Sequence, residues 1–477
     1  MNAPVEAITQ SPFAELARLF ELQRAAFGRE RYPAEAIRRD RLDRLRRIVT
    51  QHESEMVDAI STDFGHRSAH ETRLAELYIV AAEARHAQRK LRAWMKRRRV
   101  ATPIHLRPAS AFVMRQPLGV VGVISPWNYP VQLALAPVVG ALAAGNRVLL
   151  KPSELTPATS ALLQRLVARY FAPDEFAVVI GDVALGEAFA RLPLDHLFFT
   201  GSTAVGRKVA QAAAANLTPV TLELGGKSPA LFDVDADFTL TVPRLVVGKL
   251  LNAGQTCIAP DYAIVPRSRI EEFESAVASA VAALYPDIVS NDDYSTIVND
   301  RHFARLQHLL EDARSKGARV VQLGASSPTT RRMPPALVIG VDDSMAIMRE
   351  EIFGPLLPVE AYDSLDEMIA RLNARPHPLA FYWFGRQQEH RDKVLQQTLA
   401  GGVTVNDTLW HFAHEGLPFG GVGASGSGAY HGERSFVTFS QEKPVFVQPR
   451  LAATRLLNPP YRKTFERILA LLRRLNT

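Results

Sequence analysis

The single cysteine of the 477-residue chain, Cys257, is the first candidate for chemistry. It follows Gly254, Gln255 and Thr256, and such small and polar neighbours let a substrate approach and keep a thiolate hydrogen-bonded. A lone thiol cannot form an internal disulfide, and a zinc site would need several further ligands. A catalytic nucleophile and an inert packing residue are the two interpretations, and the polar surroundings favour the nucleophile.

Two polar residues upstream of Cys257 occupy positions that suit a reactive site. Glu223 follows the predicted strand 220–222, and ligands of open α/β sheets bind at the carboxyl ends of strands. The alternative for Glu223 is a surface carboxylate in a turn. Asn128 precedes Tyr129 and Pro130, so it either contributes to a site or simply forms a turn.

A strand that ends in a glycine turn and continues into a helix predicts a phosphate-binding site at residues 198–206. Free backbone amides at the amino end of the helix predicted over 205–215 would bind the phosphate. A literal G-x-G-x-x-G match at 421–426 is followed by further glycines instead of a helix, and we interpret it as a decoy. His66 and His70 have helical ligand spacing but no third ligand nearby, so we predict no metal site.

The spacing of apolar residues changes along the chain, and this change predicts the secondary-structure elements that position these residues. Residues 12–100 have the apolar spacing of helices, 104–123 are typical of extended segments, and β-type runs then alternate with helical ones. This order predicts an α/β fold with two doubly wound parallel-sheet domains and a small β arm. We expect a cofactor-binding domain at 1–225, a catalytic domain at 226–420, a return segment with an oligomerisation strand at 421–448, and a basic amphipathic tail at 449–477.

Composition places the chain among ordinary globular proteins, with 47% hydrophobic and 22% charged residues. The net charge of +7 comes from arginine-rich stretches typical of solvated helix faces, and no nucleic-acid-binding motif accompanies them. Residues 1–7 lack the features of a signal peptide, and no window of eighteen apolar residues occurs. We therefore expect a cytoplasmic protein that does not bind nucleic acid.

Six ordered motifs lie at 124–130, 144–154, 199–202, 222–227, 254–257 and 350–355. Together they resemble the aldehyde dehydrogenase superfamily over about residues 15–445. Within it, the short amino terminus and the segments 259–262, 417–423 and 428–432 resemble the class 3 branch, and 406–409 with the later segment most resembles bacterial coniferyl-aldehyde dehydrogenases.

The resemblance implies a mechanism. Cys257 would attack the aldehyde as a thiolate, Asn128 and the Cys257 backbone amide would stabilise the oxyanion of the thiohemiacetal, and Glu223 would activate water to hydrolyse the resulting thioester. It also implies NAD as cofactor, with NADP tolerated. The cofactor residues implied by the resemblance are Ser125, Trp127, Lys151, Ser153, Glu154, Gly201, Ser202, Val205, Gly206, Leu224, Glu351 and Phe353.

Tyr129, Trp410 and Phe412 are the candidates for lining the substrate channel. Aromatic walls suit an aryl aldehyde such as coniferyl aldehyde, or a medium- to long-chain aliphatic one. Two alternatives stay open: a CoA-acylating aldehyde dehydrogenase, in which a thiol receives the acyl group, and a catalytically silent, membrane-associated family member. The resemblance implies that CoA-acylating members lack the glutamate matched by Glu223, and retention of both Glu223 and Cys257 argues against a silent member.

Two further features of the sequence, a pair of alternating segments and the tail, predict association with partners. Residues 104–117 and 436–448 alternate in polarity, and the resemblance implies that they form the arm of a homodimer. In the tail, residues 461–475 place apolar side chains on one helical face and basic ones around much of the remainder. Such a helix either packs on the protein body or a partner subunit, or binds an anionic membrane surface peripherally.

Overall fold

The computed structural model describes residues 11–327, 330–461 and 463–475. The amino-terminal residues 1–7 and Arg462 of the tail, which contribute to the expectations above, lie outside these ranges.

Helices precede the sheets, as the three- and four-residue apolar spacing predicts. The prediction is wrong at its end, because the last of these helices stops at Trp94 and residues 98–100 form a strand. A π-helical segment, Arg73–Tyr78, separates the fourth helix from the fifth. The helices are α1 (Pro12–Arg29), α2 (Glu35–Gln51), α3 (Glu53–Phe64), α4 (Ala69–Thr72) and α5 (Ile79–Trp94).

The first sheet is built mainly from parallel strands that alternate with helices. Its strands are β3 (Val120–Ile124), β4 (Arg147–Lys151), β5 (Phe176–Val178), β6 (His196–Thr200), β7 (Val220–Glu223) and β15 (Gly426–Ser427). They lie side by side in the order β15, β7, β6, β3, β4, β5, and β15 alone runs antiparallel to its neighbour among these described strands. The crossovers are α6 (Gln132–Ala144), α7 (Pro157–Tyr170), α8 (Val183–Ala190) and α9 (Thr203–Ala214). Strands β3, β4 and β6 are buried along their whole length, as expected when helices cover both faces of a sheet.

The second sheet has seven strands. They are β8 (Pro229–Phe232), β9 (Tyr262–Pro266), β10 (Arg319–Gln322), β11 (Ala336–Ile339), β12 (Leu356–Tyr362), β13 (Ala380–Phe384) and β14 (Gly402–Val405), in the order β10, β11, β12, β9, β8, β13, β14. Antiparallel pairing within it joins β10 to β11, and the other pairs are parallel. Its helices are α10 (Phe238–Leu250), α11 (Ile270–Leu284), α12 (Asp300–Ser315), α13 (Ala346–Arg349), α14 (Leu365–Ala374), α15 (Gln388–Gln397) and α16 (Trp410–Ala413). The predicted α/β class with two mainly parallel sheets is confirmed.

A third, antiparallel sheet forms the arm, but its boundaries differ from the prediction. Its strands are β1 (Arg98–Val100), β2 (Ser110–Pro117) and β16 (Ser440–Val447), in that order. The predicted extended segment from 104 is wrong at its start, because Ile104–Leu106 is a 3₁₀ turn. The segment from 436 is likewise wrong at its start, because Phe436 lies in α17 (Gly432–Thr438), where it packs against Trp94 with 5.7 Å between ring centroids.

The tail ends in a helix, α18 (Lys463–Leu475). This helix packs against the 3₁₀ turn Ala453–Leu457, which in turn contacts the turn Ile104–Leu106 next to the arm. Among the described residues, no helix combines the length and the apolar character needed to cross a bilayer.

Candidate active site

Cys257 lies against a largely apolar cavity of about 530 Å³. Residues Leu74 and Tyr78 of the π-helical segment line it, together with the segment 407–415 and the start of α6. The three channel residues predicted from the sequence, Tyr129, Trp410 and Phe412, all line this cavity. Trp410 is 61% exposed and stands at its solvent side, whereas Tyr129 is buried and shares a 2.7 Å hydrogen bond with the Thr256 hydroxyl.

The turn before Cys257 adopts left-handed backbone conformations. Asn252, Ala253 and Gly254 have φ values of 54°, 51° and 77°, and such conformations are costly for residues other than glycine. A Cβ at Gly254 would come within 2.3 Å of the Gly354 carbonyl oxygen, so this position requires glycine. The buried carboxylate of Glu71 holds the turn by accepting the Asn252 backbone N–H at 3.0 and 3.1 Å.

The side chain of Asn128 faces the same turn. Its Nδ2 donates to the Gln255 carbonyl at 3.0 Å, while its own backbone carbonyl accepts from Asn252 Nδ2 and from Arg67 Nη1, both at 2.9 Å. To donate to a reaction oxyanion, the Asn128 side-chain amide would therefore have to release the Gln255 carbonyl or use its second N–H hydrogen. Asn128 is 2% exposed, so the structure places it in a buried hydrogen-bond network and not in a surface turn.

A buried ion pair supports this network from the helical region. Arg67 Nη1 lies 2.8 Å from Glu76 Oε1, and both side chains are fully buried. Glu76 also accepts the backbone N–H groups of Val131 and Gln132 at 2.7 and 3.1 Å, where α6 begins. Sequence reasoning missed Arg67, Glu71 and Glu76, because charged residues in an amphipathic helical region are typical of solvated faces. The contact of Glu76 with Val131 spans 55 residues and that of Glu71 with Asn252 spans 181, and no local pattern signals them.

Burial favours the protonated forms of the Cys257 thiol and of the nearby Glu223 carboxyl group. Burial raises the pKa of the Cys257 thiol, and the negative charges of Glu351 and Glu223 raise it further, while backbone amides of Cys257 and Ile258 offset part of the effect. Burial also raises the pKa of Glu223 well above the ordinary value. Neither carboxylate oxygen of Glu223 has a hydrogen-bond partner, although its side chain is buried. A buried carboxyl group without partners beside a thiol is suited to exchanging protons with that thiol or with water.

The cofactor residues predicted in the first half of the chain come together at one edge of the first sheet. Ser125 and Trp127 follow β3, Lys151 to Glu154 follow β4, Gly201 and Ser202 follow β6, and Leu224 follows β7. These four strands are neighbours, and the strand order reverses between β3 and β6, where open α/β sheets form their ligand crevice.

Local geometry at this edge fits a dinucleotide. Ser202 caps α9 by accepting the Val205 backbone N–H at 3.4 Å, which leaves the helix start facing the crevice. A Cβ at Gly206 would lie 2.5 Å from a Leu224 methyl carbon, so glycine allows α9 to approach the strand end closely. The Ser125 hydroxyl is buried without a partner.

Lys151, Ser153 and Glu154 lie together at the end of β4. Lys151 Nζ donates to Glu154 Oε2 at 2.8 Å, and the Ser153 hydroxyl accepts the Leu155 backbone N–H at 3.2 Å. Partial burial alone would raise the pKa of Glu154, but the Lys151 hydrogen bond and a backbone amide lower it overall. The carboxylate is thus ionised and half solvent-accessible, as an acceptor for ribose hydroxyls must be.

Glu351 and Phe353 approach the crevice from the second half of the chain. The Phe353 ring packs edge-on against Trp127 with 5.4 Å between centroids. A Cβ at Gly225 would lie 2.0 Å from Glu351 Oε2, so the glycine lets this carboxyl group reach the end of β7. Burial raises the pKa of Glu351 to about 8. Strand order therefore places the predicted cofactor residues that follow β3, β4, β6 and β7 at one sheet edge, which Glu351 reaches at Gly225 and Phe353 at Trp127.

The sequence features interpreted as unrelated to the site have other surroundings. The glycine-rich segment 421–426 forms a 3₁₀ turn and the start of β15. His66 Nε2 contacts the Asp292 carbonyl oxygen at 3.0 Å, and the His411 ring stacks on Phe419. Across the described ranges, no group of three or more His, Cys, Asp and Glu residues is arranged to hold a metal ion.

Comparison with known proteins agrees with this geometry. Residues 5–445 match the aldehyde dehydrogenase family. A probable coniferyl aldehyde dehydrogenase from Pseudomonas aeruginosa is 48% identical over 461 residues, covering 97% of each chain. The substrate-bound structure of Staphylococcus aureus AldH has a TM-score of 0.92 and 38% identity, covering 96% of this chain and 99% of that one. A mutant of AldC from Pseudomonas syringae in complex with NAD+ and octanal has a TM-score of 0.81 and 32% identity, covering 91% and 89% of the two chains.

The chain belongs to the aldehyde dehydrogenase family. It is an oxidoreductase that acts on aldehydes with NAD(P) as the acceptor. The resemblance seen in the sequence is confirmed, and members of family 3 are among its relatives.

Proposed function

We propose that the enzyme oxidises an aldehyde to the carboxylic acid through a thioester on Cys257, with NAD as the preferred acceptor. The observation that carries the proposal is that Cys257 lines an apolar cavity, while the unpartnered carboxyl group of Glu223, at the strand-end edge where β7 stops, is close enough to perturb the thiol. Each feature meets one requirement of the reaction: room for the aldehyde, a site for the cofactor and a base.

The first step needs a deprotonated base. Glu223 in its ionised form takes the proton of the Cys257 thiol, and the thiolate attacks the aldehyde carbon to form a thiohemiacetal. Asn128 Nδ2 and the backbone N–H of Cys257 are the donors for the oxyanion that develops. Their buried positions make such hydrogen bonds stronger than they would be in water.

Bound NAD supplies the acceptor for the hydride that leaves the thiohemiacetal carbon. Ser125, Ser202 and the start of α9 would hold its phosphates, Lys151 and Glu154 the adenosine ribose, and Glu351 with Phe353 the nicotinamide ribose. Glu223 releases the thiol proton to solvent and then takes a proton from water, whose oxygen attacks the thioester carbonyl. The tetrahedral adduct expels the Cys257 sulfur, which receives that proton back from Glu223, and the acid leaves.

The cavity supports an aryl aldehyde such as coniferyl aldehyde, or a medium- to long-chain aliphatic one. Its walls are mostly apolar and include the rings of Tyr129, Trp410 and Phe412. The name of the Pseudomonas aeruginosa relative supports the aryl choice. The ionised Glu154 supports NAD over NADP, because it would repel a 2′-phosphate at close range.

We also propose that the enzyme is a cytoplasmic homodimer and that residues 461–475 contact a membrane surface peripherally. The exposed strands of the arm support the dimer, since Phe446 and Val447 of β16 are 49% and 47% exposed. Apolar and basic faces on α18 support membrane contact.

The function is tested by measuring NADH formation with an aldehyde panel, with NAD and with NADP, in the presence and absence of coenzyme A. We expect activity without coenzyme A and higher kcat/KM with NAD. Cys257→Ser should abolish oxidation while leaving NAD binding within a fewfold of wild type, because a serine hydroxyl is far less acidic than the thiol.

Strict dependence on coenzyme A would instead identify a CoA-acylating enzyme. Failure to oxidise any aldehyde in a folded, NAD-binding protein would identify a catalytically silent member. Turnover of Cys257→Ser within tenfold of wild type would contradict the thioester mechanism.

A further inference from the structure

A buried polar pair, Glu83 and His431, lies in the wall of the cavity that also reaches Cys257. Their side chains are almost fully inaccessible to solvent, although the surrounding walls are mainly apolar. Glu83 accepts the Gly432 backbone N–H through Oε1 at 3.1 Å. Its Oε2 lies 4.0 Å from His431 Nε2, which is too far for a direct hydrogen bond.

The imidazole of His431 is held in place but left without partners. Its ring packs against Tyr430, Phe412 and Phe419, with centroids 4.4, 4.7 and 5.6 Å away. Neither ring nitrogen makes a hydrogen bond of acceptable geometry, although the Phe412 carbonyl lies nearby. A buried polar group without a partner is destabilising, so this arrangement requires a reason.

The backbone at His431 adds to that cost. Its φ is 78°, in the region that favours glycine, although the residue carries a large ring. Neither the strained backbone nor the unpaired side chain stabilises the fold. Their occurrence together at the wall of a substrate cavity indicates a functional role. Packing alone would be served as well by an apolar residue.

The two groups complement each other at neutral pH. Burial and the charge of Glu415 raise the pKa of Glu83 to about 8, against the Gly432 hydrogen bond, so the carboxyl group is mainly protonated and can donate. Burial lowers the pKa of the His431 ring to about 3, with a further contribution from His411, so the ring is neutral and one nitrogen can accept. The titratable side chains of His86 and His414 also lie near Glu415 and belong to the electrostatic surroundings of Glu83.

We propose that Glu83 and His431 bind a hydroxyl group of the substrate and that the enzyme therefore selects hydroxylated aromatic aldehydes. One hydroxyl oxygen about 2.8 Å from each atom would span the 4.0 Å between Glu83 Oε2 and His431 Nε2. Because Nε2 has almost no exposed surface, the His431 ring must turn towards the cavity as the hydroxyl binds. The hydroxyl would accept from the carboxyl group and donate to the ring nitrogen. A rigid ring that links aldehyde and hydroxyl loses little conformational freedom on binding, and Leu133 and Phe412 supply apolar walls for it.

This inference rests on the proposed function and narrows its substrate class. The first test uses the wild-type enzyme with three aldehydes that share one skeleton: 4-hydroxycinnamaldehyde, its 4-methoxy ether and cinnamaldehyde. We expect kcat/KM for the hydroxylated aldehyde to exceed the other two by about tenfold or more, since they leave one or both polar groups unpaired. Equal values for all three would overturn the proposal without any variant.

The second test asks whether the pair causes the preference. His431→Phe should reduce the ratio of kcat/KM for 4-hydroxycinnamaldehyde over cinnamaldehyde to within about threefold of unity, since the ring remains but the acceptor is lost. Glu83→Gln should retain a measurable preference, because an amide can accept from Gly432 and donate to the hydroxyl. The matched control is His196→Phe, which removes another buried imidazole, one that pairs with Thr221 in the first sheet, and should leave the ratio unchanged.

The outcomes separate this inference from the proposed function. NADH formation with octanal but no hydroxyl preference would contradict the Glu83–His431 pair alone. No NADH with any aldehyde would contradict the proposed function itself. A ratio that His431→Phe and His196→Phe lower equally would assign the effect to loss of a buried imidazole anywhere in the fold and overturn the pair's role.

Discussion

At the scale of single residues, burial disfavours the charged forms that the proposed mechanism uses. Burial and the nearby carboxylates raise the pKa of the Cys257 thiol, and burial raises the pKa of Glu223. In the proposed mechanism Glu223 must therefore lose its proton before it can act as the base.

Glu223 gives the sharpest prediction at this scale. Because its pKa is raised and only its ionised form accepts protons, kcat should increase with pH along a limb that lies well above the pKa of an ordinary glutamate. Glu223→Gln should lower kcat by about 10²-fold or more, the usual scale for a general base, and remove this limb. Steady-state rates from pH 5 to 9 measure both effects. An unchanged kcat in the variant would exclude Glu223 from the mechanism.

At the scale of elements, the position of Cys257 depends on a turn whose conformation is imposed by residues elsewhere in the chain. The left-handed residues 252–254 are held by Glu71, and Asn128 is held by Arg67 and Asn252. Arg67 in turn pairs with Glu76, whose carboxylate accepts the Val131 backbone N–H just before α6 begins. Short helices and a π-helical segment thus set the geometry of a loop that follows them by more than 170 residues.

We predict that Glu71→Ala relaxes the turn before Cys257. Loss of a buried acceptor should lower the unfolding free energy by roughly 1–3 kcal/mol and kcat by about tenfold, with less change in KM for NAD. Thermal unfolding and steady-state kinetics measure these effects, and the alkylation rate of Cys257 reports its position directly.

Glu71→Gln keeps one acceptor for the Asn252 amide and should recover most of the lost kcat. Ser295→Ala, which removes a single hydrogen bond to Glu71, is the milder control. Lower thermal stability with an unchanged kcat would show that Glu71 supports the fold without positioning the cysteine.

At the scale of the whole molecule, the arm and the tail extend the enzyme beyond its two main sheets. The edge strands β1 and β16 carry exposed apolar residues, among them Val100 and Phe446. Open strand edges with exposed apolar side chains favour pairing with another chain. Next to the arm, α18 rests on the turn Ala453–Leu457, and its Leu471 is 57% exposed.

We expect a homodimer that depends on the arm. Sedimentation at micromolar concentration should give twice the chain mass of 52.6 kDa, and Phe446→Glu should shift the protein towards the monomer, because it places a charge on the exposed strand. Phe13→Glu is the matched control, since Phe13 and Phe446 are both 49% exposed. A wild-type monomer would refute the dimer, and dissociation by both variants would refute the role of the arm.

The tail should bind anionic membranes reversibly. We predict that the full chain sediments with anionic vesicles at low salt and much less at high salt, because attraction between basic side chains and headgroups is screened. A chain ending at Arg450 should remain in solution under both conditions, as should the full chain with neutral vesicles. Identical behaviour of the two chains would support packing of α18 on the protein body instead.

The sequence by itself determined the chemistry that local patterns encode. Cys257 among polar residues, Glu223 at a strand end and the glycine turn before α9 are properties of short segments, and strand, turn and helix signals act over a few residues. The starts of the arm segments were misassigned for the same reason. Extended turns and short helices share local patterns with strands, and only packing, such as that of Phe436 on Trp94, separates them.

Tertiary structure alone decided which distant residues support the site and which protonation states they have. Arg67, Glu71 and Glu76 acquire their roles through contacts with residues far along the chain. The pair Glu83 and His431, separated by 348 positions, exists only because α5 and the segment before α17 meet at one cavity wall. Burial raises the pKa of Cys257 and of Glu223, and burial is a property of the packed molecule that no short segment carries.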